Sequence, residues 1–420
     1  MSEDIAELDV ETEQALVVRQ PIFDRDKNVW GYELLADSTP SLPDGTEAIS
    51  LSDLISAYQV NMSALRDEFS ADKKLLLHMP ADIHLSNQEL PEGWNSCVFG
   101  VCKQVANSPE GPKFADSMRA SGGTVSIDDS VDPTGTSEML DRMDIVQVSL
   151  AGKTPPEIIK LRRKYKDFKG KLLATDVSSW EAYEGTRALG FKYFQGPFFA
   201  IAQIQDDKEL PASSVAKLQL LRELGNPDCE MDELAAIIAA DVSLSYRILK
   251  YINSASFGMR NDIKSIQQAV SLLGLKEVRH WATVVIMSDL DTTPKGEELS
   301  YMALQRGRFL SKLAGTINNF PHSANTMFML GLFSKLDALL SYPMGKALEG
   351  IPMDSEMKEG LCGTMNDFRD WLMLLEAVEV GNWGIANDIL GRYGACFTQA
   401  ATQYMKAATW AANQLPNMKK

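Results

Sequence analysis

Long apolar runs are missing from this 420-residue chain, and none reaches the length a membrane helix needs. Its first residues, MSEDIAELDVETEQ, are acidic and have no apolar core, so no secretory signal is expected. Cysteine is scarce. Cys97, Cys102, Cys229, Cys362 and Cys396 are scattered and odd in number, which argues against a closed disulfide framework and for reduced thiols. Histidine is scarcer still, and no two of the four have helical or loop spacing suited to a metal. There is no Lys/Arg run, no internal repeat of fixed period and no low-complexity tract. With 41 basic against 57 acidic side chains, the formal net charge of -16 repels phosphate backbones, so no nucleic-acid partner is expected. What remains is 45% hydrophobic and 23% charged, the composition of a folded protein, here expected in the cytoplasm and away from membranes. The length predicts about two or three domains.

Two rhythms divide the chain. From about Ala15 to Ala200, strand-length runs alternate with helix-compatible stretches such as Pro156 to Tyr165 and Trp180 to Leu189. The runs are ALVVRQP, VWGYELL, KLLLHM, SCVFGV, TVSIDD, DIVQVSL, KLLATDV and FKYFQG, each bounded by Gly, Pro, Asp or Ser. Strands in such alternation predict a TIM-like (β/α) barrel, and the short connections predict a trimmed one. After Pro211 the period becomes 3.6. Leu244, Ile248, Leu249 and Ile252 form one apolar stripe, and Ile266, Ala269, Val270 and Leu273 another. Asp241 and Ser265 stand where N-caps belong, Gln268 completes a capping box, and Gly274 marks a helix end. Further helices are expected over Ala303 to Ile317, Thr326 to Leu340, Asp367 to Val380 and Gln399 to Leu415. The polar stretch Ser288 to Glu298 reads as a long loop. The expected fold is therefore α/β plus all-α, a barrel over residues 15–204 and a helical bundle over 205–415.

Two family resemblances fit this division. RQPIFDRDKNVWGYELL (Arg19 to Leu35), the acids in Ser126-Ile127-Asp128-Asp129 and the run Phe194-Gln195-Gly196 resemble EAL domains, the metal-dependent cyclic di-GMP phosphodiesterases. AADVSLSYRILKYINSASFG (Ala239 to Gly258) and SIQQAVSLLGLKEVRHW (Ser265 to Trp281) resemble HDOD domains, relatives of HD-type phosphohydrolases without the metal-binding His-Asp pair. Together they imply a bacterial EAL–HDOD signalling protein.

Hydrolysis of a phosphodiester by two hard cations needs carboxylate or amide oxygens converging at the C-terminal ends of barrel strands. By the EAL resemblance, Glu33 stands at a metal-ligand position and is kept, as are Asp128, Asp129 and Gln195. Elsewhere the pattern breaks. Asp37 replaces a phosphate-binding Arg, His78 an Asn ligand and Gly100 a Glu ligand, with Lys103 where a further acid often follows. Gln147 and Ser149 stand for a catalytic Lys and an acid. Thr175 stands for a Glu, beside Asp176. In the helical half Phe333 and Ser334 occupy the place of the His-Asp dyad, while His322 and His280 are followed by Ser323 and Trp281. The expectation is therefore a non-catalytic regulatory scaffold that binds other signalling proteins. It has no catalytic residue, cofactor or metal, and Glu33, Asp128, Asp129 and Gln195 are vestigial. A second reading, a cyclic di-GMP receptor that binds without hydrolysing, rests on those same four residues. Against it stands the mouth's charge, with Arg19 the only basic residue in the recognisable motifs there. His78 and His84 straddle Pro80 without a third ligand. Asn253-Ser254 reads as a helix end, and Trp371, Leu374, Leu375 and Val378 as a core face.

Overall fold

The computed structural model describes residues 17–36, 73–78, 97–130, 139–204, 209–226, 228–253 and 263–419. All eight expected strands form: β1 (Val17–Asp24), β2 (Val29–Ala36), β3 (Lys74–His78), β4 (Cys97–Val101), β5 (Thr124–Asp128), β6 (Ile145–Ser149), β7 (Lys171–Thr175) and β8 (Tyr193–Gln195). They close into one barrel in sequence order. From β2 to β8 each strand is parallel to the next, whereas β1 is antiparallel to both β2 and β8. The outer layer is lean among the described residues: α1 (Lys103–Ala106), α2 (Gly111–Ala120), α3 (Pro155–Lys164) and α4 (Trp180–Ala188). The strand ring is whole.

Strand side chains alternate between the two faces of a sheet, so every second residue of each strand points into the barrel. Ile22, Leu76, Val98, Ile145, Leu173 and Tyr193 form a separate buried cluster that fills the interior. Two residues further toward the mouth, the same strands present Gln20, His78, Gly100, Gln147, Thr175 and Gln195. Ser126 and Asp128 follow the same alternation on β5, and Glu33 points inward from β2. One apolar layer therefore plugs the barrel, and a polar layer lies above it.

The second half is helical: α5 (Ala212–Gly225), α6 (Met231–Ala240), α7 (Val242–Ile252), α8 (Ile266–Leu273), α9 (Leu275–Ser288), α10 (Pro294–Ala314), α11 (Ala324–Phe333), α12 (Leu336–Leu340), α13 (Met344–Ala347), α14 (Ser355–Leu361), α15 (Asp367–Glu379), α16 (Trp383–Arg392) and α17 (Phe397–Lys419). Asp241 caps α7 by accepting from the N–H groups of Ser243 and Leu244, at 2.8 and 3.0 Å. Ser265 caps α8 through the Gln268 N–H, but the Gln268 side chain accepts from Lys264 N, so only half of the expected box forms. Gly274, at φ 85°, joins α8 to α9. Asn253 is structural, its side chain donating to Ile263 O and accepting from Ile263 N. Trp371, Leu374, Leu375 and Val378 are buried as expected.

Two expectations are corrected. The stretch Ser288 to Glu298 is not a long loop. Pro294 opens α10, capped by Thr293 Oγ1 accepting from Gly296 N. Proline at the first helical position forfeits only an N–H that has no partner there, so Thr-Pro is a helix start rather than a breaker. The segment Thr326 to Leu340 is not one helix, because it breaks at Ser334 and Lys335 between α11 and α12. All five cysteines are free thiols. No helix among the described residues is long and apolar enough to cross a membrane.

Candidate functional site

The helical half sits on the barrel mouth. Its main contributor is α10, whose residues Glu298, Tyr301, Met302 and Gln305 fall at helical spacings of three and four and so share one face. That face lies over the polar layer and lines a cavity of about 330 Å³, near the lower end of the range for small-ligand sites. Glu33, His78, Asp128, Gln147, Ser149, Thr175, Asp176 and Gln195 line it from the barrel. Arg306, Lys335, Glu376, Glu379 and Tyr404 join the α10 face from the helical side.

β1 makes the junction. Because it runs against its neighbours, its first residues reach the mouth. Arg19 is buried, pairs with Glu298 at 3.0 Å and lies over the rings of Tyr301 and Tyr32, at 3.6 and 4.5 Å. The Tyr32 hydroxyl donates to the other Glu298 oxygen at 3.1 Å. Burial opposes the Arg19 charge, but Glu298 outweighs it and the guanidinium pKa is raised. Gln20 donates to Glu379 O at 2.6 Å and accepts from Gln195 Nε2, so β1 links the barrel layer to α15. Lys335 donates across the junction to Ala200 O at 3.3 Å.

Within the cavity, His78 Nε2 lies 2.5 Å from Glu33 Oε1. Burial alone would lower the His78 pKa, but the Glu33 hydrogen bond and charge, helped by Asp128, raise it. The His78 side chain keeps 48% exposure and lines this cavity. Beside it, a Cβ on Gly100 would come within 3.0 Å of His78 Nδ1 and 3.4 Å of Gln147 Nε2. His78 and Gln147 thus lean over a position that brings no oxygen donor, and Gln147 spends its amide on Ser126 Oγ at 3.0 Å. Ser149 Oγ donates to Asp176 Oδ2 at 2.6 Å. Gln195 Oε1 accepts from Asp176 N at 3.2 Å. Gly196 follows at φ 140°, where a Cβ would strike Val177 N at 2.4 Å, so the β8 exit needs glycine.

Of the four residues singled out by sequence, Glu33, Asp128 and Gln195 line the cavity and Asp129 does not. Asp129 accepts from Ser149 N at 3.3 Å; burial and neighbouring Asp128 push its carboxyl up, against Lys153. Asp37, His84 and Ser254 lie outside the described residues. Among the described residues no three His, Cys, Asp or Glu side chains group as they would around a metal.

The recognisable barrel motifs offer Arg19 alone as a basic residue at the mouth, and the structure brings others from outside them. Arg19 is committed to Glu298, and the helical half adds Arg306 and Lys335. Arg306 is buried, donates to both Glu379 oxygens at 2.6 and 2.5 Å, and donates to Ser334 Oγ at 3.0 Å. Burial and the nearby Arg306 charge push Lys335 down to about 8. The signal available beforehand was the polar α10 stripe, which reads equally as a solvated face. Phe333 is buried in α11, and Ser334 serves Arg306.

Comparison with known proteins places these features. Residues 210–348 match the family model of the HDOD domain. The chain is 26% identical over 415 residues to the uncharacterized protein YuxH of Bacillus subtilis, covering 95% of this chain and 98% of that one. It is 24% identical over 383 residues to the cyclic di-GMP phosphodiesterase CdgJ of Vibrio cholerae, covering 87% of this chain and 85% of that one. Among solved structures, an EAL domain protein from Listeria monocytogenes aligns with 44% of this chain and 87% of its own, at 18% identity and a TM-score of 0.34. Residues 210–348 are thus an HDOD domain, and with the eight-stranded barrel before it the chain has the arrangement of the EAL–HDOD proteins its motifs resemble.

Proposed function

We propose that this chain is a non-catalytic regulator of the bacterial cytoplasm, built from a degenerate EAL-like domain at residues 15–204 and an HDOD domain at 205–415, and acting by contact with other signalling proteins. The observation that carries the reading is the pairing of Glu33 with His78 beneath the seated helical domain. A carboxylate at a ligand position is spent on an imidazole, and the positions around it offer Gly100 and a Ser126-bound Gln147. That donor set does not fit two hard cations, which need several converging oxygens. Glu33, Asp128, Asp129 and Gln195 are read as vestigial positions without a catalytic or metal-binding role.

The interaction half of the reading draws support from large apolar side chains left exposed on three mutually packed helices, Met231 on α6, Tyr246 on α7 and Leu272 on α8. CdgJ, the phosphodiesterase relative, keeps turnover in play as the outcome to test. The test is incubation of the full chain with cyclic di-GMP, magnesium and manganese, followed by chromatography and calorimetry. No linear dinucleotide and no binding heat are expected up to about 1 mM ligand. Appearance of the linear product would sink the non-catalytic reading. Saturable binding without product would instead favour a receptor, a reading supported by Lys335 in the cavity wall.

A further inference from the structure

A second cavity lies inside the helical half, with a volume of about 410 Å³. Part of its wall is apolar, formed by Leu224, Leu275, Met329, Phe333, Met353 and Met357. The rest is polar and mostly cationic or neutral: Lys276, Arg279, His280, Thr283, Asn325 and Thr326. Asp354 is the one carboxylate among the lining residues, and its Oδ1 is taken up by the N–H groups of Glu356 and Met357. This balance stands out in a chain of net charge -16.

Three observations say what the polar side is prepared for. Arg279 donates Nη2 to Cys229 O at 3.2 Å, while its buried Nε has no hydrogen-bond partner among the described residues. A buried guanidinium N–H left unmade is costly, so an acceptor there is worth more than one in water. Lys276 lies in the first turn of α9, whose N-cap Gly274 has no side chain to satisfy the helix end. Asn325 and Thr326 lie in the first turn of α11, so two helix N-termini bring partial positive charge to the same space. His280 lines the same space. Burial, then Arg308 and Lys276, push its pKa down to about 4, leaving the ring neutral near pH 7 with one donor and one acceptor.

We propose that this cavity binds a small organic anion, a phosphate monoester carrying a flat ring of mononucleotide size. Arg279 and Lys276 hold the phosphate, and the wall of Phe333, Met329 and Met353 takes the ring. The site is independent of the barrel cavity and of whether the barrel is catalytic.

The test is calorimetric titration of the full chain at low salt with 5′-AMP, 5′-GMP and, as an anion without a ring, inorganic phosphate. It is repeated on Lys276→Glu and Arg279→Gln. Lys276 is exposed, so its variant should melt at the wild-type temperature even if loss of the Cys229 contact unsettles Arg279→Gln. At least one nucleotide should bind with Kd below about 1 mM, and phosphate about tenfold more weakly. Lys276→Glu should weaken the nucleotide by about tenfold or more. Absence of heat from every probe up to about 10 mM overturns the proposal. So does nucleotide binding that Lys276→Glu leaves unchanged, or phosphate binding as tight as that of the nucleotides.

Discussion

His78 and Glu33 meet because β2 and β3 pair with Glu33 opposite Leu76, which puts His78 two residues nearer the mouth on the same inward face. A histidine whose folded pKa is raised contributes stability that is full below its unfolded value and is lost as pH rises through the folded one. His78→Asn should therefore lower the melting temperature more near pH 6 than near pH 9. The difference should stay below about 1 kcal/mol, because the ring remains half exposed to the cavity. Lys335 gives the opposite slope. Its folded pKa of about 8 lies below the ordinary lysine value, so between pH 8 and 10 the unfolded chain binds more protons and stability rises with pH. Lys335→Met should flatten that rise, on the order of 2 kcal/mol, as read by urea unfolding across the range. The identities of Glu33 and His78 were plain in the sequence. Their bond was not, because it depends on a strand register that no local pattern states.

At the scale of elements, α10 decides most. Its start was misread because Thr-Thr-Pro-Lys-Gly has the composition of a turn, while its cap depends on Thr293 Oγ1 reaching Gly296 N. Its polar face gave no signal for a related reason. Glu298, Tyr301 and Gln305 have the spacing of a solvated stripe, and only the barrel beneath them turns it into a lid. Apolar stripes are easier, since burial is their ordinary fate, and those of α7, α8 and α15 lie where periodicity put them. The eight strands were legible for the same reason. At the same cavity α10 is tied to α15 by Arg306 and Glu379. Breaking a buried ion pair strands a charge, so Arg306→Met should cost about 3 kcal/mol or more in denaturant unfolding. The double variant Arg306→Met/Glu379→Leu should recover a large part of that loss, since removing both charges leaves neither unpaired.

For the molecule as a whole, the seat of one half on the other was the part least visible in advance. Each half is specified by its own periodicity, but the junction uses single polar residues scattered along the chain: Arg19, Gln20, Glu298, Lys335 and Glu379. Arg19 is its centre, held by Glu298 and two tyrosine rings. Arg19→Glu would set two carboxylates together where water is excluded and should drive the halves apart. Small-angle scattering should then give a larger radius of gyration than wild type, and the swap Arg19→Glu/Glu298→Arg should restore part of the compactness. An unchanged radius for Arg19→Glu would mean that the junction does not depend on this pair.

The reversed direction of β1 has a mechanical consequence. The strand that closes the ring, bonded to β2 on one side and β8 on the other, also carries Arg19 and Gln20 into the helical half. A load pulling the halves apart is therefore passed into the two ladders that keep the barrel shut. Docking and ring closure are coupled in series through eight residues of backbone, so strain at the junction is felt first at the barrel's own seam.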